Sequence, residues 1–267
     1  MSQLTDQRYL RTDQYRDSSN LDARAQLHER FSVNKHGWHR WVFDRLGFAP
    51  DCRVLELGCG PGYLWDENRD RIPEGWELIL SDPSPGMVDR ARLSLGNLGC
   101  QRLDFALVDA QIIPFKTDTF DGVVANHMLY HAPDQERALS VIRRVLRPGG
   151  RFYASTTGRA HLRELDDLVH RFGISLRREG MWQKPTFVLE NGGDLISRQF
   201  TTVLEHRYED SLVVTEAAPL LAYVRSSFTL SVAVGDDGEG FARFVEREIA
   251  LRGAIHITKD SGMFEAC

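Results

Sequence analysis

Between residues 50 and 160 the chain alternates short apolar runs with stretches of helical periodicity. Runs at 54–57, 78–80, 105–108, 120–125 and 151–155 have the length of buried strands and give way to glycine or polar residues. Ser84-Pro85 reads as a helix cap with proline in the first turn, opening a helix to about residue 95. Asp134 caps a second helix, which runs to about residue 147 and ends at Pro148-Gly149-Gly150. Upstream, helical patterns cover 21–32 and 35–47, the second carrying Trp38, Trp41, Val42 and Leu46. Residues 1–20 are polar and are expected to be loose without a ligand.

Beyond residue 158 the alternation weakens. A helix is expected at 161–172, then an irregular stretch holding Met181, Trp182 and Pro185. A strand follows at 201–209, a helix at 216–227, a solvated acidic turn at 235–240 and a helix to about residue 252. Segments 254–258 and 262–265 read as a closing pair of strands about a bend.

Strands that alternate with helices connect by right-handed crossovers and build a parallel sheet. The expected architecture is α/β: a Rossmann-like, doubly wound, mostly parallel sheet with helical caps. One domain over 1–267 is divided into an N-terminal helical cap at 1–47, a cofactor-binding core at 48–158, a cap or insert at 159–200, and a completion of the sheet at 201–267.

The bulk properties narrow the function. The 267 residues are 42% apolar and 27% charged, enough for a core without staples. A net charge of −5 and the absence of a basic arm argue against a nucleic-acid or anionic-membrane partner. Arg163, Arg171, Arg177 and Arg178 fit a solvated helix face better than a basic docking face. Cys52, Cys59, Cys100 and Cys267 are scattered, and no HExxH or carboxylate cluster occurs, so neither a disulfide framework nor a metal site is expected. The first 17 residues lack an apolar core of signal-peptide type, and no apolar run is long enough to span a bilayer; a cytoplasmic setting is expected.

The segment Val54-Leu55-Glu56-Leu57-Gly58-Cys59-Gly60-Pro61-Gly62 carries the most chemistry. A strand runs into glycines that let the backbone approach a ligand closely, at the sheet edge where open parallel sheets bind ligands. The spacing is GxGxG, and Tyr63 stands where a dinucleotide fingerprint has its third glycine. Asp82, 20 residues after Gly62, ends the second strand, where a carboxylate accepts hydrogen bonds from a ribose diol. Asp109-Ala110-Gln111 ends the third strand, and Asn126-His127-Met128-Leu129 ends the fourth.

Taken together over residues 50–160, these segments resemble the class I S-adenosylmethionine-dependent methyltransferases. The run Asn126 to Asp134, with Tyr130, His131 and Pro133, looks like the small-molecule branch related to ubiquinone and menaquinone biosynthesis. Arg147-Pro148-Gly149-Gly150 before the fifth strand is a further habit of the family; Lys259 to Phe264 and Glu190 to Asp210 look fainter. The resemblance implies S-adenosylmethionine as cofactor. It implies a site of Glu56, Gly58, Cys59, Gly60, Gly62, Asp82, Pro83, Met87, Asp109, Ala110, Gln111, Asn126 and His127. In that family the carboxylate at the position of Asp109 meets the adenine amino group.

Methyl transfer needs alignment and exclusion of water, and a base only where the acceptor must lose a proton early. His127, His131 and Tyr15 are the catalytic candidates; the bland alternative has His127 packing on the cofactor and His131 capping a helix. Tyr15, His28 and Trp182 are candidates for an acceptor pocket, and Trp38 and Trp41 on one cap and Trp182 and Phe187 on the other supply apolar walls. The acceptor is expected to be a small, partly apolar metabolite, methylated at oxygen, nitrogen, carbon or sulfur. An RNA or protein methyltransferase on the same fold is the alternative, disfavoured by the lack of an Asn/Asp-Pro-Pro-Tyr segment. A non-catalytic S-adenosylmethionine-binding protein is the alternative from another class, and a nicotinamide dehydrogenase is disfavoured by the glycine spacing. Monomer and homodimer are both open.

Overall fold

The computed structural model describes residues 3–96, 98–172, 186–227 and 238–267. Seven strands form one sheet in the order β3-β2-β1-β4-β5-β7-β6. They are β1 Arg53–Leu57, β2 Glu77–Asp82, β3 Arg102–Leu107, β4 Phe120–Asn126, β5 Leu146–Thr157, β6 Val203–Val214 and β7 Ile255–Ala266. The pairs among β1 to β5 are parallel, and β7 runs antiparallel to both β5 and β6. The strand order reverses outward from β1 and β4, so the crevice beyond their carboxyl ends is the topological switch point.

Helices cover both faces. Along the sheet the helices are α3 Trp38–Phe43, α4 Tyr63–Asp66, α5 Pro85–Leu95, α6 Gln135–Val145 and α8 Leu189–Ile196. Ser84 accepts from the Met87 amide and Asp134 from the Arg137 amide, so both expected caps form. On one face α6 buries Ala138, Leu139, Ile142 and Val145 against Leu55, Val123 and Phe152. On the other, α3, α4 and α5 bury Trp41, Trp65 and Leu95 against Val54, Leu78 and Tyr153.

Two expectations change here. The closing segments are one continuous strand, β7, because every residue from Ile255 to Ala266 has a partner on β6 and nothing bends the ladder. Phe187 is not a wall of a cap: it is fully buried against Phe264 and the helix α8, which the sequence pattern left irregular. Met181, Trp182, Pro185, Arg177 and Arg178, and the start of the 235–240 turn, lie outside the described residues.

The register of β7 has a further consequence. Its half from Ser261 to Ala266 pairs with Thr157 to Phe152 of β5, while its half from Ile255 to Asp260 pairs with β6 alone. The β6/β7 ribbon therefore projects past the carboxyl end of β5. A third cluster packs on this projection: Leu212, Val214, Ile255 and Ile257 meet Leu27 and Phe31 of α2 (Ser19–Phe31), Leu165 and Val169 of α7 (Arg163–Arg171), Leu220 and Val224 of α9 (Ala217–Ser226), and Phe241 and Val245 of α10 (Gly238–Arg252). The end of α2 is tied to the ribbon by the Val33 amide, which donates to the Ser211 carbonyl at 2.9 Å. A helical cap is thus seated over the switch point.

Leu212 is fully buried in that third cluster. Leu212→Ala should cost about 2–5 kcal/mol, the range for truncating a core leucine. Amide exchange should quicken first in α2 and α9; exchange that quickens only in β1 to β4 would contradict a separate cap cluster.

Candidate functional site

A cavity of about 1590 Å³ lies between the carboxyl ends of the strands and the cap. Its floor is the loop after β1. Gly58 and Gly60 adopt left-handed backbone (φ +68° and +53°), and a Cβ on Gly58 would stand 2.7 Å from the Met128 Cβ. The loop is held by its neighbour strand: the Cys59 amide donates to the Ser81 carbonyl at 2.9 Å, and the Gly60 amide donates to Asp82 Oδ2 at 3.1 Å. Asp82 Oδ1 accepts from the Ser84 amide at 2.8 Å, so one carboxylate clamps the loop and the start of α5 together.

Both carboxyl groups on this floor are buried. Burial pushes the Asp82 pKa up to about 6, against the pull of its two amide donors. Burial pushes Glu56 up to about 8, although Trp65 Nε1 donates to its Oε2 at 2.5 Å. Two buried carboxyls that resist ionisation gain from a ligand bearing hydroxyl or ammonium donors.

Of the residues singled out in the sequence, Glu56, Gly58, Cys59, Gly60, Asp82, Pro83, Met87, Asp109, Ala110, Asn126 and His127 line this cavity, with Tyr15, His28 and His131. Two do not. Gly62 faces the α5 helix, where a Cβ would stand 2.4 Å from Leu95 Cδ1, so it is a packing glycine. Gln111 turns away; its amide nitrogen donates to Asp109 Oδ1 at 3.2 Å and its Oε1 accepts from the Asp134 amide at 3.1 Å. Trp38 lines the cavity, its ring tilted 42° to that of His127 with centroids 4.8 Å apart and its Nε1 donating to Asn126 Oδ1 at 3.2 Å, whereas Trp41 is buried behind it. Arg163 and Arg171 pair with Glu164 and Glu248, which leaves neither as a basic docking face.

The first residues are anchored rather than loose. They form a short helix, α1 Gln7–Tyr9, and a π-helical turn, Leu10–Gln14, that buries Leu10 and Gln14. Their polar groups bond to the site: the Ser84 hydroxyl donates to the Tyr15 carbonyl at 2.6 Å, Gln7 Nε2 to the His131 carbonyl at 2.7 Å, and Gln14 Nε2 to the Ser226 carbonyl at 3.1 Å. Hydropathy cannot distinguish polar groups that are used this way from solvated ones.

Tyr15 and His131 meet, with Oη and Nε2 2.9 Å apart. His131 Nδ1 lies 2.8 Å from the Leu4 carbonyl, which can only accept. The proton of neutral His131 therefore sits on Nδ1, and Nε2 accepts from the Tyr15 hydroxyl. Burial lowers the His131 pKa to about 4 and the His127 pKa to about 3, and it lowers His161, another wall residue, to about 4. His131 is thus a hydrogen-bonded partner of the cap rather than a helix cap. Arg24, Tyr130, His161, Tyr223 and Lys259 also line the cavity, and none was singled out as a site residue in the sequence. Tyr130 and Lys259 stood inside segments that resemble the family, while Arg24, His161 and Tyr223 gave only the signal of a polar or aromatic residue, which a single sequence cannot separate from surface.

The three histidines predict a pH dependence. Each folded pKa lies below the ordinary value, so stability from these groups is full above about 6.5 and is lost as pH falls toward 4. Their C2 proton resonances should hold neutral positions at pH 6; midpoints near 6.5 would contradict the burial.

The cavity can be set beside known proteins. A family profile described as a methyltransferase domain matches residues 55–154. The chain is 28% identical over 140 residues to a ubiquinone/menaquinone biosynthesis C-methyltransferase, UbiE, of Pectobacterium atrosepticum, covering 52% of this chain and 56% of that protein. It is 33% identical over 115 residues to the UbiE of Vibrio vulnificus, covering 43% and 44%. The chain thus spans about half the length of the curated relatives it matches. Among solved structures, the YcgJ protein of Bacillus subtilis superposes with a TM-score of 0.59 at 16% identity, covering 85% of this chain and 96% of that one. A Haemonchus contortus phosphoethanolamine N-methyltransferase in complex with S-adenosyl-L-methionine gives 0.59 at 17% identity, covering 100% and 60%. These structures share the fold. Among the described residues no helix is long and apolar enough to cross a membrane, and no cluster of metal-ligating side chains occurs.

Proposed function

We propose, from the premise that residues 55–154 belong to the class I S-adenosylmethionine-dependent methyltransferases, that this protein transfers a methyl group to a small-molecule acceptor inside the capped cavity. The observation that carries the reading is the pairing of a left-handed glycine loop, clamped by Asp82, with a Tyr15–His131 hydrogen bond across the same cavity.

The donor set fits the cofactor. Gly58 and Gly60 bring backbone close to the ligand, Asp82 keeps unused lone pairs for a ribose diol, and Glu56 offers a buried carboxyl to an ammonium group. Asp109, Ala110, Pro83 and Met87 line the neighbouring wall, where an adenine would lie. When bound, S-adenosylmethionine supplies a methyl group activated on a sulfonium.

The chain's own residues do the rest. The cap keeps water from the reacting atoms, and Trp38 and His127 form an aromatic wall that restricts the acceptor. Where the acceptor must shed a proton, it passes to Tyr15 Oη as the tyrosine's own proton moves to His131 Nε2. The imidazolium so formed keeps its Nδ1–H bond to the Leu4 carbonyl. The neutral His131 in the resting site is the form ready to accept.

Enclosure favours a small acceptor, since pockets for small ligands are concave and mostly apolar with a few placed polar groups. The similarity to quinone-pathway C-methyltransferases supports an acceptor of metabolite size.

Two substitutions test the assignment. Asp82→Asn should weaken S-adenosylhomocysteine binding by about 1–3 kcal/mol, the range for losing charge-assisted bonds in a buried site. Tyr15→Phe should leave that affinity within a factor of about two and lower kcat by about 10²–10⁴-fold, the span of proton-transfer catalysis, once an acceptor is in hand. Unchanged binding in the first and unchanged kcat in the second would contradict the roles given.

A further inference from the structure

Arg24, on α2, stands at the cavity wall among three tyrosines: Tyr15, Tyr130 and Tyr223. Its Nε donates to the Ser226 hydroxyl at 3.2 Å and its Nη2 to the Ser226 carbonyl at 2.6 Å. One edge of the guanidinium is thus pinned to the end of α9, which fixes its plane, and a further side-chain hydrogen bond joins it to Tyr15 on the cavity wall. No carboxylate among the described residues forms an ion pair with it, although acidic side chains neutralise most arginines named elsewhere in the fold. The second cation on this wall, Lys259, is already paired with Asp210 at 2.5 Å.

A charge enclosed in low-dielectric surroundings is costly unless it is paired. Around Arg24 the compensation is partial: the phenol groups of Tyr15, Tyr223 and Tyr130, with no carboxylate partner among the described residues. The wall histidines register the resulting potential. After burial, the charge of Arg24 and Lys259 helps hold His28 low, and Arg24 contributes at His131. His28 itself has a buried Nδ1 without a hydrogen-bond partner among the described residues, and its ring sits edge-on to Tyr223 at 5.9 Å. A buried guanidinium with no carboxylate partner among the described residues, close to an unused histidine nitrogen, suits a ligand that brings negative charge.

We infer that the acceptor is an oxyanion, a small carboxylate or phosphate ester, whose anionic group is received by the Arg24 guanidinium. This rests on the methyltransferase reading above and narrows its acceptor from any small metabolite to an anionic one. The aromatic ring faces of Tyr130, Tyr223 and Trp38 then contact the uncharged part, and the anion's far end points its nucleophile toward the Tyr15–His131 pair.

Calorimetric titration of the full-length protein, loaded with S-adenosylhomocysteine, tests this. The probes are benzoate, its neutral isostere benzamide, and inorganic phosphate. Benzoate or phosphate should bind, and benzoate at least about 10-fold tighter than benzamide. In Arg24→Gln the anion affinity should fall about 10- to 100-fold, the scale of a charge-assisted hydrogen-bonded pair, while Arg24→Lys keeps part of it. S-adenosylhomocysteine affinity should change less than about twofold in both variants. Benzoate without phosphate identifies a carboxylate acceptor, and the reverse identifies a phosphate ester. Equal binding of benzoate and benzamide to the unaltered protein, or no binding of either anion, overturns the inference without any variant having to fold. So does an Arg24→Gln protein that loses S-adenosylhomocysteine affinity and keeps the anions, because Arg24 would then serve the cofactor's own carboxylate. Failure of S-adenosylhomocysteine to bind the unaltered protein strikes the methyltransferase reading instead, and is read in the first titration.

Discussion

The register of β7 is the constraint on which the rest of the site depends. One half of this strand completes the main sheet beside β5, and the other half continues past it, paired only with β6. A ribbon exposed on two faces must bury them, and α2, α7, α9 and α10 do so. The cap is therefore a product of strand length. It stands over the carboxyl edge because the strand projects in that direction. Were β7 to begin at Ser261, α2 would lose the surface that Leu27 and Phe31 cover, and Arg24 would have no fixed place on the cavity wall.

Beneath the cap, burial sets the chemistry. It raises the two floor carboxyls and lowers the wall histidines, so these groups resist carrying charge there. Each group is left in the state that a ligand can use: carboxyls able to accept or share a proton, a neutral histidine whose Nε2 accepts from Tyr15, and an arginine without a carboxylate partner among the described residues. Preorganised polar groups of this kind need no rearrangement when the ligand arrives. The Asp82 clamp matters for the same reason, since two amide donors hold its carboxylate in a single orientation.

The sheet from β1 to β5 was legible in the sequence because each strand there is a short apolar run with a turn or cap signal at its end. So was the floor of the site: Glu56, Gly58, Gly60, Asp82 and Asp109 lie at strand ends that the pattern itself locates. The cap was not legible in the same way. Phe187 and Trp182 looked alike as aromatic residues in an irregular stretch, and only packing shows Phe187 to be core. Gly62 read as a ligand glycine, and its contact with Leu95 on α5 has no local signature. Residues 3–18 read as loose because their bonds go to Ser84, His131 and Ser226, all distant in sequence. Arg24 was invisible for the same reason: its meaning lies in having no carboxylate partner among the described residues, which is a property of three-dimensional surroundings.

The central claim is that the crevice between the glycine loop and the cap is the cofactor site. Hydrogen–deuterium exchange of the whole protein, with and without saturating S-adenosylhomocysteine, tests it most directly, since ligand that binds only the native state stabilises the elements it touches. The account predicts slower exchange at residues 58–63, 81–87 and 109–111 and in the N-terminal segment around Tyr15, with little change in α6 and α8 on the far side of the sheet. Unaltered exchange at the glycine loop and Ser84, or protection confined to α6 and α8, would contradict it.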